Sequence, residues 1–250
     1  MLEKIKKITN KKSFHIVMII VILTIILFVA GIIILRYSVE GETNMPFELS
    51  KISVISSSEG IDKDVPDTKW AFDIYQSNDI YLYISKNKNY SKSEIIKSIS
   101  IENINIESEN NKNIKMYRPD SQGENSIFKN TEENLVENIE YLGDLETNLA
   151  NLKISNQGGI IAFRCSNDSV AEYKSDDEEI NHQELLKKCG ILEQNLKFKI
   201  YFDLVIKLEE GKEYKTTIDL DLPIDGVVAN GTTSKEYMNL TNFIFKRIKN

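Results

Sequence analysis

The sequence predicts a mainly β protein: a single N-terminal transmembrane helix, then an extracytoplasmic antiparallel β-sandwich-like domain with few short helices. Three observations predict this class. Twenty-two consecutive residues, Phe14–Leu35, contain no Asp, Glu, Lys or Arg. Apolar side chains recur at every second position through Leu196–Leu208. Other strand-like segments are separated by turn residues without a repeated β-α-β pattern, which favours an antiparallel sandwich.

The apolar run predicts a transmembrane helix over residues 14–36. At about 1.5 Å per residue the run is roughly 33 Å long, enough to cross a hydrocarbon core about 30 Å thick. The apolar region of a cleaved signal peptide is shorter, about 7–15 residues, and ends at a small-residue site. Here the small pair Ala30-Gly31 is followed by four more apolar residues. We therefore expect an uncleaved anchor in the lipid bilayer, in preference to a cleaved signal or a buried core helix.

The charges beside the helix predict its orientation. Residues 1–13 contain five lysines and one glutamate, whereas Arg36, Glu40 and Glu42 follow the helix. Basic residues flanking a span stay in the cytoplasm. We expect a cytoplasmic basic tail at 1–13 and a single-pass protein of the cell membrane with its C-terminal domain outside the cytoplasm.

The remainder of the chain is acidic. Residues 1–36 carry a formal charge of +5 and the whole chain carries -7, so residues 37–250 carry -12. Such a domain lacks the basic surface used to bind nucleic acid, and we expect no nucleic-acid partner. Abundant Lys, Asn and Ile beside only four arginines indicate AT-rich codons and a bacterial source.

Two segments divide the chain beyond the anchor. Residues 37–46 are predicted to form a polar stalk, since Gly41 and Pro46 oppose continuation of the helix. Residues 47–250 form the β-rich domain. Its polar stretch 107–130 is either an internal loop or a break between two sub-domains.

The clearest strand prediction is a hairpin near the C-terminus. Leu196–Leu208 alternates with period two, which predicts one buried and one exposed face. A turn at Glu210–Lys212 leads to a second alternating strand, Tyr214–Leu222, which Pro223 ends.

Other strand signals are weaker, and two carry a specific prediction. Ser77-Asn78 is expected to turn the strand that begins at Trp70 into another at Ile80–Ile84. Within Ile99–Ile106 the apolar phase slips by one residue, so a β-bulge is expected near Glu102-Asn103. The remaining predicted strands are Leu49–Ile55, Ile114–Arg118, Leu152–Ser155, Gly159–Arg164 and Asn242–Arg247.

Helix signals after the anchor are few. Ser91–Glu94 resembles a capping box that could begin one or two turns. Ser175–Cys189 has acids at its start, lysines at its end and Gly190 beyond, a charge order that suits a helix dipole.

Three segments carry a resemblance to known sequences: Met45–Ile52, Trp70–Gln76 and Leu152–Gly159. They resemble segments of uncharacterised, singly anchored envelope proteins of low-GC bacteria. The resemblance would cover most of the chain. It implies an anchored envelope topology and no activity, because no catalytic motif carries it.

The chain contains few histidines and cysteines that could support catalysis or bind a metal. His182 is the only imidazole outside the membrane flank, which opposes a multi-histidine zinc site or a His-based triad. His182, Cys189 and Arg247 follow the order found in sortases, but the spacing and the flanking motif do not match. We therefore predict no catalytic residue and no cofactor.

Two kinds of site stay open. Asp219, Asp221 and Asp225 are weak candidates for a calcium site, because extracellular calcium needs clustered oxygen ligands; the alternative is a solvated face. Cys165 and Cys189 could form a disulfide outside the cell or remain two buried small apolar residues.

The sequence favours a membrane-anchored, non-catalytic interaction or structural module of the bacterial cell envelope. Its partner would be an envelope protein or a glycan. Two alternatives remain: an anchored hydrolase with a carboxylate-based site, and a sensor or accessory subunit.

Overall fold

The chain begins with a long helix that passes directly into a strand. In a computed structural model that describes residues 2–39, 45–108, 114–120, 127–144 and 152–248, helix α1 is Leu2–Arg36 and strand β1 is Tyr37–Val39. The stretch His15–Ile32 within α1 has no buried residue and is long and apolar enough to cross a membrane.

The predicted stalk, 37–46, needs correction at its start. Residues 37–39 form β1, which pairs antiparallel with a strand at the C-terminus. β1 forms its backbone hydrogen bonds along one edge of that C-terminal strand. A partner so distant in sequence cannot be predicted from the composition of residues 37–46. Residues 40–44 of the stalk lie outside the described residues.

Two sheets contain the described strands. The seven-stranded sheet has the order β1-β12-β10-β9-β4-β6-β7, and the five-stranded sheet the order β11-β2-β3-β8-β5. Among the described strands, only β6 and β7 pair in parallel. The strands after β1 are β2 (Phe47–Asp62), β3 (Trp70–Lys86), β4 (Ile96–Glu107), β5 (Ile114–Tyr117), β6 (Ile139–Asp144), β7 (Lys153–Ser155), β8 (Gly159–Ser175), β9 (Lys199–Leu208), β10 (Glu213–Asp221), β11 (Thr232–Tyr237) and β12 (Lys246–Ile248).

The mainly β class and the C-terminal hairpin are confirmed. β9 and β10 pair antiparallel, with Phe202 opposite Ile218, and both side chains are buried. β9 begins three residues later than the alternation suggests, because Leu196 instead ends a short helix, α3, at Glu193–Leu196. Leu196 is buried all the same, in a second apolar cluster.

The turn predicted at Ser77-Asn78 is wrong. β3 runs straight through both residues, which pair with Ser57 and Ser56 of β2. Ser56 donates a hydrogen bond of 2.6 Å from Oγ to Oδ1 of Asn78, whereas the buried Ser77 hydroxyl has no partner among the described residues. β2, β3 and β8 consequently form one long three-stranded ribbon.

The predicted bulge is confirmed. The pairing of β4 with β9 shifts between Glu102 and Asn105, and Asn103 has a φ of 53°. Asparagine tolerates this left-handed conformation better than most residues.

Most of the core lies between the two sheets. Phe163 of the five-stranded sheet meets Phe202 of the other edge-on, with ring centroids 5.2 Å apart. Ile101 and Ile139, on either side of the polar stretch 107–130, belong to this same cluster. Residues 109–113 and 121–126 of that stretch lie outside the described residues.

A smaller cluster packs the far end of the long ribbon against short helices. Phe72 of β3 lies here with residues of α2 (Leu185–Lys188), α3 and α4 (Val227–Asn230). The helix predicted at Ser175–Cys189 is therefore largely wrong: Ser175 ends β8, the following acids form a loop, and helical backbone begins at His182. Only Leu185 and Leu186 bury apolar side chains in it, too few to hold a longer helix.

The capping-box prediction at Ser91–Glu94 is also wrong, since residues 87–95 contain no helix. Glu94 is buried and binds Lys212, with Oε1 2.9 Å from Nζ. A carboxylate that could reach back to a helix N-terminus instead binds a cation from another part of the chain.

Candidate functional site

The outward face of the five-stranded sheet carries a row of polar and aromatic side chains. Along β3, Ile80, Leu82 and Ile84 point into the core, so the residues between them point outward. We call this surface the outer face and define it by Glu59, Tyr75, Asp79, Tyr81, Tyr83 and Arg164.

Arg164 of β8 is the centre of the outer face. Its Nε lies 2.6 Å from Oδ1 of Asp79, and its Nη2 lies 3.0 Å from Oδ2, a bidentate pair. The two side chains are only 5% and 15% exposed. Phe128 lies over the guanidinium, with the Cζ atom 5.1 Å from the ring centroid, and Asn130 accepts from Nη1. The loop that follows β5 therefore covers this ion pair.

A second carboxylate reaches the same guanidinium. Oε1 of Glu59 lies 3.5 Å from Nη2 of Arg164. The hydroxyl of Tyr75 donates to Oε2 of Glu59 at 2.6 Å, and Ser57 donates to Oε1 at 3.1 Å. Glu59 and Asp79 thus converge from neighbouring strands on one cation.

Burial changes the acid–base properties of this face. Burial raises the pKa of Asp79, and pairing with Arg164 only partly offsets that rise. Burial and the hydrogen bond to Glu59 raise the pKa of Tyr75, and burial raises the pKa of Tyr81 to about 12. Both phenols therefore stay protonated and can donate hydrogen bonds at neutral pH.

Aromatic residues continue the outer face along β3. Tyr81 and Tyr83 are partly exposed, and Ile55 of β2 is 40% exposed beside them. Nζ of Lys51 lies 4.2 Å from the centroid of the Tyr83 ring and 2.7 Å from Glu236. These contacts restrain the positions of the ring and the cation on the sheet.

Both acidic residues of the outer face contact the same cation. A carboxylate-pair hydrolase needs one carboxyl to donate a proton while the other acts as base or nucleophile. Here Arg164 contacts both Glu59 and Asp79, so neither carboxylate is without a cation partner.

Sequence reasoning missed this cluster. Its members come from three strands, and Arg164 is 85 residues from Asp79 along the chain. A local signal existed only at Asp79, where an acid interrupts the tyrosines of an alternating strand.

The calcium candidates do not come together as a metal site. Asp219 binds Lys199 at 2.7 Å, and Asp221 is exposed while its backbone carbonyl accepts from the hydroxyl of Tyr237. Asp225 is exposed in the loop after β10. Among the described residues, no group of three or more His, Cys, Asp or Glu could hold a metal ion.

Both cysteines are free, and the structure separates them. Cys165 is buried in the core, whereas Sγ of Cys189 lies 3.6 Å from the carbonyl of Glu172, its hydrogen-bond acceptor. Glu172 is seven steps along β8 from Cys165, about 23 Å of strand. A disulfide needs Cα atoms about 4.4–6.8 Å apart, so the disulfide alternative is wrong.

His182 is exposed and contacts one aromatic ring. Its ring meets Phe72 edge-on, with centroids 5.5 Å apart, at the start of the short helical segment.

Burial raises the pKa of the Cys165 thiol and of the Cys189 thiol, which keeps both in the less nucleophilic thiol form.

No protein-family model, no curated protein and no solved structure matches this chain.

Proposed function

We propose that the protein is a membrane-anchored, non-catalytic interaction module of the bacterial cell envelope. The apolar helix α1 would hold it in the cell membrane, and the β domain would lie outside the cytoplasm. The five lysines before the apolar run support this orientation.

The outer face is the observation that carries the proposal. Tyr75, Tyr81 and Tyr83 project from β3 beside the covered Arg164–Asp79 pair. Tyrosine and arginine are enriched where proteins bind their partners, because each offers a large contact area and directional hydrogen bonds. Side chains fixed on strands lose little conformational entropy on binding.

The partner would be an envelope protein or a glycan. Tyrosine rings pack against apolar surfaces and sugar rings, and their hydroxyls donate hydrogen bonds. Lys51 and Arg164 hold their charges in ion pairs on this face, so polar recognition here would use neutral hydrogen-bonding groups as well as charge.

Photo-cross-linking in living cells tests the proposal. A benzophenone amino acid replaces Tyr83 in the full chain, and Tyr201, on the outward side of the other sheet, is the matched control position. We expect a discrete cross-linked product from position 83 and none from position 201. Equal products at both positions, or none at position 83, would contradict a specific outer-face partner.

The second candidate, a carboxylate-based hydrolase, is favoured only by the convergence of Glu59 and Asp79. Glu59→Gln and Asp79→Asn test it in cells whose phenotype depends on this gene. If both abolish the phenotype at unchanged protein level and melting temperature, while Tyr83→Ser leaves it intact, the hydrolase replaces the binding module.

A further inference from the structure

The loop between β3 and β4 is basic, in a domain that is otherwise strongly acidic. We call residues 86–97 the basic loop; they comprise this connection with the last residue of β3 and the first two residues of β4. It contains four lysines and a single acidic residue, whereas residues 37–250 as a whole carry -12. The four lysines are all exposed, and none forms an ion pair with another described residue: Lys86, Lys88, Lys92 and Lys97.

The one acid of the loop does not neutralise these lysines. Glu94 is buried, with its side chain only 2% exposed, and binds Lys212 of the β9–β10 turn. The hydroxyl of Tyr90 donates to the same carboxylate at 3.0 Å. Lys212 and Tyr90 hold the pKa of Glu94 below its usual value, although burial opposes them. The loop therefore points its acid inward and its lysines outward.

Strand pairing places the basic loop at the end of the domain where α1 leaves. A single lateral row of paired residues crosses the sheet from β1 to β4: Tyr37, Ile248, Glu213, Lys207 and Ser98. Tyr37 follows the last residue of α1, and Lys97 comes one residue before the other end of the row. Four strand spacings of about 4.8 Å make the row about 19 Å long.

Chain connectivity restrains the loop independently. The amide nitrogen of Asn87 donates to the carbonyl of Pro46, and its side-chain amide donates to the carbonyl of Met45. Met45 is only six residue steps beyond Val39, a reach of at most about 22 Å. The loop is thus held near the point where the chain leaves the helix.

The apolar run of α1 continues to Leu35, and Arg36 is the first charged residue after it. The headgroup layer that begins at the end of such a run is roughly 5–7 Å thick. Tyr37 therefore starts the domain at the membrane surface, and lysine side chains extending from residues 86–97 are long enough to enter that layer.

Two of the acids at this end are neutralised by lysine partners, whereas the exposed Glu209, whose N–H donates to the carbonyl of Ile95, forms no ion pair among the described residues. Glu210 binds Lys212 at 3.0 Å, and Glu213 binds Lys207 at 2.8 Å. Ile95, 42% exposed, adds an apolar side chain next to the lysines. Basic and apolar groups together are the combination that binds the surface of an anionic bilayer.

We propose that the basic loop binds anionic phospholipid headgroups of the leaflet from which α1 emerges, so that the domain is fixed against the membrane at a second point. This inference rests on the proposed membrane anchoring by α1.

Lysine acetylation of the full chain in nanodiscs tests the proposal. Two preparations are compared, one of phosphatidylcholine alone and one that also contains phosphatidylglycerol, and labelling of each lysine is followed by peptide mass spectrometry. We expect severalfold slower labelling of Lys88 and Lys92 in the anionic discs, reversed by high salt because screening weakens surface attraction. Lys174, exposed at the far end of β8, should label equally in both and serves as the internal control.

A variant pair separates lipid contact from a general change in the protein. Lys88→Gln/Lys92→Gln should remove the lipid-dependent slowing of backbone hydrogen exchange across residues 86–97, whereas Lys69→Gln/Lys174→Gln should preserve it. Equal labelling of Lys88 in both discs would overturn the proposal. Protection by inorganic phosphate in phosphatidylcholine discs would also overturn it, because the ligand would then be free phosphate. A chain that fails to co-purify with any nanodisc would instead contradict the anchor itself.

Discussion

The hydroxyl of Tyr141 in β6 hydrogen-bonds to both backbone groups of Ala162 in β8, and so joins the two sheets. It donates to the carbonyl of Ala162 and accepts from its N–H at 3.2 Å. β5 pairs with β8 only from Arg164 to Asn167, so residue 162 has no strand on that side. A side chain thus completes the hydrogen bonding where the strand ladder stops.

Tyr141→Phe tests the importance of this contact. The substitution leaves two buried backbone groups without a partner, so we expect a loss of about 1–3 kcal/mol in the free energy of unfolding. Urea unfolding of the full chain in detergent, followed by the fluorescence of Trp70, the only tryptophan, measures it. Tyr201→Phe, which removes a hydrogen bond from an exposed side chain to Glu107, should change stability far less. Equal losses of unfolding free energy would show that the Tyr141 hydrogen bonds contribute no more to stability than the Tyr201 hydrogen bond.

The Arg164–Asp79 pair predicts a strong coupling. Arg164→Met would leave a largely buried carboxylate without its cation, at a cost of about 3–5 kcal/mol. Asp79→Leu combined with Arg164→Met should recover much of that loss, because both charges are then gone. A double-mutant cycle on unfolding free energies measures the coupling. Additive effects of the two changes would show that the pair contributes no coupling energy.

Features set by a local sequence pattern could be predicted from the sequence, whereas features set by contacts between distant strands could not. Alternation alone specifies the buried face of β9 and β10, because the side-chain period of a strand needs no partner to be read. The bulge at Asn103 is likewise visible as a slip in phase. Neither the continuation of β3 through Ser77-Asn78 nor the cluster at Arg164 can be predicted in that way, since each depends on strands distant in sequence.

The hairpin faces give a second stability prediction. Phe202 is buried opposite Ile218, so Phe202→Asp should cost several kcal/mol by placing a charge in the core without a partner. Asp219→Asn, on the exposed face of β10, should change stability by less than about 1 kcal/mol, because an exposed ion pair contributes little. Melting temperatures of the two variants provide the comparison, and similar shifts would refute the face assignment.

Asp203 predicts a dependence of stability on pH. Burial opposes its charge, but hydrogen bonds from Thr217 and Asn103 and the nearby Lys215 hold its pKa below the usual value. Because the folded-state pKa is the lower one, this carboxylate stabilises the protein above its unfolded-state pKa of about 3.9 and loses that contribution as pH falls through the folded value.

Urea unfolding of wild type and Asp203→Asn should therefore differ by a constant amount between about pH 6 and pH 8, and the difference should shrink below about pH 4. Asp221→Asn, on an exposed side chain, supplies the control. A difference that stays constant down to pH 2 would mean that the Asp203 charge has no role in stability.

The two cysteines predict different reactivities. Cys165 is buried opposite Asn78, and Cys189 lies partly exposed near Glu172, so the two cannot meet without disruption of β8. Burial raises the pKa of each thiol, which lowers the reactivity of both. The partly exposed Cys189 should still react faster with a thiol reagent than the buried Cys165. In the folded full chain we expect maleimide to label Cys189 slowly and to leave Cys165 unlabelled, whereas in urea both should react. Cys189→Ser should abolish labelling of the folded protein, and Cys165→Ser should leave it unchanged. An intact mass two daltons lower without reduction than with it would reveal a disulfide and contradict the separation of the two sulfur atoms.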